Sequence, residues 1–202
     1  MLTLYYSPGS SAMATHIALN EVGVPFELKL TALTRNDNRS ADYLAINHEG
    51  KVPTLIIDGR VLTEVAATLW YLARRYPEAG LLPQFGDIEA EARVISWMLF
   101  VASTIHPARR IGEARWREVF VLAEQRLGPN DWTVDCYSIA DIHLFRLYWR
   151  FVVTLGIAPG AYPNLHRHYD RMMARPAVQR TLATEAAAGY NLSPGFPGGG
   201  NR

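Results

Sequence analysis

Tyr6-Ser7-Pro8-Gly9-Ser10-Ser11 gathers hydroxyls and backbone amides at the expected start of a helix. A thiol held there is favoured as thiolate, because a hydroxyl donor and the positive helix end both stabilise an anion whose free acid has a pKa of about 8.5. Each serine also suits plain N-capping, the common role of serine at such a place. Val52-Pro53 precedes an apolar strand, where proline lacks the ladder donor. A cis bond there turns the chain sharply and leaves the amide and carbonyl of Val52 facing outward for a ligand's backbone; a trans proline at a strand start is the ordinary alternative. Thr63-Glu64-Val65 lies where a further strand feeds a helix. Amides at that helix start can take a ligand carboxylate and Glu64 a ligand ammonium, or else Thr63 or Glu64 does no more than cap.

The elements that must position these segments are legible from periodicity. LTLYY reads as a buried strand ended by Ser7-Pro8-Gly9. A helix follows from Ser10 or Ser11, with Met13, Ala14, Ile17 and Ala18 on its apolar face and Gly23 as its stop. Phe26, Leu28 and Leu30 alternate with Glu27 and Lys29, the period of a strand with one wet face. After a polar stretch from Thr31 to Glu49, VPTLIIDGRVL predicts two antiparallel strands joined by Asp58-Gly59, and TEVAATLWYLARRYP a helix ended by Pro77.

Two prolines and two glycines in PEAGLLPQFG mark a domain boundary, which gives an α/β domain over 1–78 and an all-helical domain over 86–188. The rest, 189–202, reads as a disordered tail. Asp87 caps a long helix on which Ile88, Ala92, Ile95, Leu99, Ala102 and His106 form one stripe, read as facing inward. Further helices are expected over 112–127, 138–155, 163–174 and 176–188, the second of them opened by the capping pattern Ser138-Ile139-Ala140-Asp141.

Composition narrows the function. Twenty basic residues nearly cancel 19 acidic ones and leave a net charge of +1, and the basic spots around Arg109-Arg110 and Arg115-Arg117 are broken by Glu113 and Glu118, which argues against a nucleic-acid partner. No window holds 18 uninterrupted apolar residues and the N-terminus lacks a signal-peptide pattern, so the reading is cytoplasmic, without membrane association. A single cysteine, Cys136, excludes an internal disulfide and reads as inert filling of a loop-helix junction. His166 and His168 lack a third ligand at metal spacing, so both read as surface or interface residues and no metal is expected.

Taken together, YYSPGSSAMATHIALNEVG, NHEGKVPTLIIDG, LTEVAATLWYLARRYP and YSIADIHLF resemble, in order and interval, the conserved segments of the glutathione transferases, most of all the bacterial beta class. The resemblance spans about residues 1 to 188. It implies a thioredoxin-like N-terminal domain, an all-α C-terminal domain, a homodimer, and a glutathione transferase that conjugates the thiolate of glutathione to small hydrophobic electrophiles. Glutathione, as substrate, would lie along Lys51, Val52 and Pro53, with its γ-glutamyl end at Glu64 and the Val65 amide. Its thiol would be directed toward Ser11, with Ser10 and Tyr6 as alternative activators, and the electrophile would lie near His106, a base or donor unless it is a hydrogen-bonded core histidine.

The chain departs from the beta-class pattern at Ser11, where the class usually has cysteine, at Val65, usually serine, and at Leu99, often asparagine; Pro107 follows His106. These departures keep open a non-catalytic glutathione-binding or interaction module of the same fold. A glutathione-dependent isomerase or dehalogenase, which needs the same thiol site with a different second pocket, is a further alternative that the sequence does not separate from conjugation.

Overall fold

A computed structural model describes residues 1–84 and 86–190, so the expectation of a disordered tail falls, from residue 191 onward, outside the described residues. Among the described residues the chain divides into two compact units, one of Met1–Ala79 plus residues 175–190, the other of Gly80–Ala174. The sequence boundary counted that last segment with the helical domain, whereas its helix packs against the first helix of the α/β unit.

In the first unit β1 (Leu2–Tyr6), α1 (Ala12–Val22) and β2 (Phe26–Leu30) form the expected βαβ start, and β1 and β2 pair in parallel. Gly23 ends α1 at φ 70°, a conformation easy for glycine and strained for other residues. β3 (Thr54–Ile57) and β4 (Arg60–Thr63) are antiparallel, joined by Asp58 and Gly59, both at positive φ as a tight two-residue hairpin requires. The sheet order is β2-β1-β3-β4, with β3 also antiparallel to β1.

α3 (Val65–Arg75) buries Val65, Leu69 and Leu72 on its inner face. It meets α1 where the Thr15 and Thr68 hydroxyls bond at 2.7 Å, both fully buried. The polar stretch read as a loop contains a short helix, α2 (Ala41–Ile46), capped by Ser40, whose hydroxyl accepts from the Tyr43 amide. Six residues carry too little periodicity to be read.

The helical unit consists of α4 (Ile88–Phe100), a π-helical turn (Val101–Ile105), α5 (His106–Ile111), α6 (Glu113–Leu127), α7 (Ile139–Leu155) and α8 (Pro163–Met173); α9 (Pro176–Ala187) belongs to the first unit. Its core is aromatic, with Phe120 stacked on Phe151 and Trp116 edge-on to Phe151.

Asp141 closes the expected capping box at Ser138 and does more. It is fully buried and accepts from the amides of Thr133 and Ser138, from the Ser138 hydroxyl and from His168 Nε2 at 3.0 Å. His168 is therefore a core residue, which corrects the surface reading; its carboxylate partner stands 27 positions away, beyond the reach of local spacing.

The α4 stripe is a second correction. Ile88, Ile95 and Leu99 are exposed, at 82%, 43% and 59%, while Ala90, Val94, Trp97 and Met98 face the core. Both faces are apolar, so periodicity alone chose between two stripes and took the wrong one. The π turn then shifts the phase, and His106 is half-buried.

Candidate active site

The β3–β4 register is what assembles the site. Thr54 pairs with Thr63, so the two residues before β3, Val52 and Pro53, and the two after β4, Glu64 and Val65, leave the hairpin at the same end. The Val52-Pro53 peptide is cis. Gly50, at φ 60°, starts the turn, and its carbonyl accepts from Asn38 Nδ2 at 2.7 Å. The Lys51 carbonyl accepts from the Tyr43 hydroxyl at 2.5 Å and from Asn47 Nδ2 at 3.0 Å. α2 thus supplies Tyr43 as a strut for the turn, a role with no trace in local spacing. Lys51 itself is exposed, with its ammonium 2.8 Å from Glu49.

The first loop meets that turn directly. Ser11 Oγ donates to the Val52 carbonyl at 2.8 Å, joining positions 41 apart. Sequence reasoning left both the amide and the carbonyl of Val52 for a ligand; the structure gives one lone pair of the carbonyl to Ser11, while the Val52 amide donates no hydrogen bond among the described residues. Ser11 is helical in backbone and makes no cap bond, so Ser10 is the local cap, its hydroxyl accepting from the Ala12 amide at 3.2 Å.

Glu64 is exposed at the N-terminus of α3 with φ 67° and ψ 125°, a conformation that costs a non-glycine residue about 1–3 kcal/mol. Its side chain caps nothing. The first-turn amides of α3, beginning with the nearly buried Val65, therefore face the same end of the hairpin as the Val52 amide.

Tyr6 closes β1, ahead of the first loop. Tyr6 is 5% exposed, edge-on to the His16 ring at 5.7 Å, and burial, then the charge of Glu185, pushes its phenol above the ordinary range. Glu185, on α9, is the functional residue that sequence reasoning missed. Fully buried, it accepts from the Gly9 amide at 2.7 Å and from His16 Nδ1 at 3.1 Å, anchoring the loop that carries Ser10 and Ser11. Its place on the stripe Val178, Thr181, Glu185 was the available sign: a charge on an otherwise inward face. His106 opens α5 in the helical unit. Cys136 is half-buried, and burial followed by the nearby Asp141 and Asp135 raises its thiol. Among the described residues no three His, Cys, Asp or Glu side chains are grouped so as to hold a metal ion.

A four-stranded β2-β1-β3-β4 sheet flanked by helices, with a cis-proline turn beside a helix start, is a thioredoxin-like domain, here joined in one chain to a helical domain. Residues 1–74 match the family model "Glutathione S-transferase, N-terminal domain" and residues 103–176 match "Glutathione S-transferase, C-terminal domain". The chain belongs to the glutathione S-transferase family.

Among its relatives, glutathione S-transferase GstA of Escherichia coli O157:H7 is 28% identical, with 91% of this chain and 98% of that protein covered. A beta-class glutathione S-transferase of Sphingomonas chungbukensis superposes with a TM-score of 0.81 at 32% identity, covering 91% of this chain and 98% of the other. A glutathione transferase homologue from Sulfitobacter, solved with bound glutathione, gives 0.81 at 30% identity, with 91% and 98% covered.

Proposed function

We propose that this protein is a glutathione transferase that holds glutathione along Lys51, Val52 and Pro53 and at Glu64 and Val65. The observation that carries the reading is the Thr54–Thr63 pairing, which sets an unbonded Val52 amide beside the α3 N-terminus. The Val52 amide takes a backbone carbonyl of the tripeptide, the first-turn amides at Val65 take its γ-glutamyl carboxylate, and Glu64 accepts from its ammonium. This orientation delivers the thiol to the first loop. Hydroxyl donors and the α1 N-terminus there stabilise the thiolate, which attacks the electrophile: a C–S bond forms, the leaving group departs with its electron pair, and the thiol proton passes to solvent.

Ser11 is the favoured donor, with Ser10 and Tyr6 behind it. In the structure the Ser11 proton points to the Val52 carbonyl, so Ser11 serves a thiolate by rotating its hydroxyl away from that bond. Serine in place of the usual beta-class cysteine removes mixed-disulfide chemistry from this loop. The exposed α4 residues Ile88, Ile95 and Leu99, and a groove between β4 and α3 lined by Leu62, Ala67, Trp70 and Tyr71 with Arg74 and Arg75, support the homodimer. No described helix is long and apolar enough to cross a membrane, and we place the protein in the cytoplasm.

Calorimetric titration with millimolar glutathione tests the reading, together with the ultraviolet absorbance of the bound thiolate. Tight enough binding to saturate, a thiol ionising below its free value, and a larger loss of turnover than of affinity in Ser11→Ala are expected. No binding refutes the reading. Binding with an unshifted thiol leaves a non-catalytic module.

A further inference from the structure

The Ser11 hydroxyl has one proton, and in the structure that proton is committed. Oγ donates it to the Val52 carbonyl at 2.8 Å, from the N-terminal end of α1 to the turn ahead of β3. Among the described residues no other donor reaches that carbonyl, and Val52 is nearly buried, at 7% exposure. A hydroxyl turned from there to a thiolate leaves a nearly buried acceptor unpaired, which opposes the ionisation it would support. The turn is not placed to swing toward a different donor, because its preceding carbonyls are held as well, Gly50 by Asn38 and Lys51 by Tyr43 and Asn47.

The Val52 amide, which donates no hydrogen bond among the described residues, shows how the conflict is lifted. A peptide residue lying antiparallel to Val52 and accepting from this amide presents its own N–H to the Val52 carbonyl, since directly opposed residues exchange both bonds. That N–H keeps the carbonyl paired, and the Ser11 proton can turn to sulfur. A hydrogen bond to an anion is about twice as strong as the neutral one given up, so the exchange runs toward the thiolate. It depends on the nitrogen of the thiol-bearing residue. A cysteine acylated on nitrogen carries the N–H; a simple mercaptan, or a residue joined through an ester, does not.

We propose that Ser11 is a specificity-determining residue, released to a thiolate only when the thiol's own residue offers an amide N–H to the Val52 carbonyl, so that the thiols activated are those of N-acylated cysteine. This rests on the transferase reading above and adds to it the selection among thiols. Throughout, the Ser11 proton stays on Oγ and only its acceptor changes. The proton that departs is the thiol's, and it passes to solvent.

Glutathione and its depsipeptide, in which an ester oxygen replaces the cysteinyl N–H, form the matched pair of probes. Both keep the ammonium, the two carboxylates and the thiol. The full chain is saturated with each, thiolate absorbance is followed against pH, and each bound thiol is compared with the same thiol in solution. The depsipeptide should bind within about tenfold of glutathione, because Ser11 keeps the Val52 carbonyl paired in its absence. In the wild-type protein the downward shift of the glutathione thiol should exceed that of the depsipeptide by about one pH unit, as expected when a stranded acceptor opposes ionisation. In Ser11→Ala the two shifts should coincide. Equal downward shifts in the wild-type protein overturn the proposal, whether or not the variant folds, and leave the transferase reading standing. A difference that persists in Ser11→Ala overturns it as well, because the N–H then acts without the hydroxyl. So does a depsipeptide that fails to bind at millimolar concentration where glutathione binds, since the N–H would then serve affinity and not release. Glutathione bound with an unshifted thiol, or not bound at all, overturns the proposal and the transferase reading together.

Discussion

Replacing Glu185 probes how the first loop is held. Its carboxylate is fully buried, accepting from the Gly9 amide at 2.7 Å and from His16 Nδ1 at 3.1 Å. Glu185→Gln keeps the shape and gives up the charge; its one carbonyl can serve Gly9 while its amino group turns to His16. Hydrogen bonds to a charged group contribute about 1.5–3 kcal/mol and neutral ones about 0.5–1.5, so weakening two of them lowers stability by about 2 kcal/mol. Glu185→Ala strands both buried donors and opens a cavity, for a loss of about 3–5 kcal/mol. Urea denaturation with an unchanged m value reads the difference, and native-state hydrogen exchange locates it, since the Gly9 amide should lose protection ahead of the sheet amides. Burial followed by Glu185 holds the phenols of Tyr6 and Tyr190 above their ordinary range, so in the glutamine variant both should titrate at lower pH. An alanine variant within about 0.5 kcal/mol of wild type, or unchanged Gly9 protection, would refute the anchoring role.

Three further outcomes follow from single positions. A Cβ on Gly50 would lie 2.8 Å from both the Asn38 carbonyl oxygen and Arg39 Nη1, at φ +60°, so Gly50→Ala should cost about 2 kcal/mol in urea and weaken glutathione binding; an unaltered midpoint argues against a rigid turn. Glu64→Gly relieves the φ 67° backbone and should raise stability by about 1 kcal/mol while glutathione affinity falls; a gain in both properties would separate Glu64 from the ligand. His143 is lowered from 6.5 to about 3 chiefly by burial, so as pH falls from 6.5 toward 3 the unfolded chain takes up a proton that the folded chain refuses. Its contribution, full above pH 6.5, is lost across that window at about 1.4 kcal/mol per unit, and His143→Gln should flatten this limb of the stability profile relative to wild type.

The parts of the fold that were legible are those written in short-range pattern. Strands β1 to β4 announced themselves by apolar runs and by Asp58-Gly59, and α1, α3, α6, α7 and α9 by three-to-four spacing and by Gly23, Ser138 and the prolines. The chemistry-bearing segments were legible for the same reason, since each lies at a junction between two patterned elements. What joins them was not. The bonds Ser11–Val52, His168–Asp141 and Gly9–Glu185 close over 41, 27 and 176 positions, and no local pattern records which distant donor a carbonyl or carboxylate will meet. Hence the capping serine was recognisable as one of two, while the finding that Ser10 caps and Ser11 crosses to the neighbouring turn needed the tertiary structure.

α4 shows the same limit from the other side and leads to an argument about assembly. Ile88, Ala92, Ile95, Leu99 and Ala102 form as regular a stripe as Ala90, Val94, Trp97, Met98 and Val101, and only the second is covered within the subunit. A helix apolar on two faces buries both only if something outside the chain's own core covers the other one. Isolated apolar side chains on a surface need no explanation, but three large ones spaced seven and four apart on one helix form a contiguous strip. A polar face would have served a monomer better, so the strip is most economically explained by a second copy of the chain. Ile95→Glu with Leu99→Glu, each placing a charge on that exposed strip, should shift sedimentation to the monomer and leave the far-ultraviolet circular dichroism unchanged. A wild-type protein that sediments as a monomer at every concentration would remove the reason for the strip.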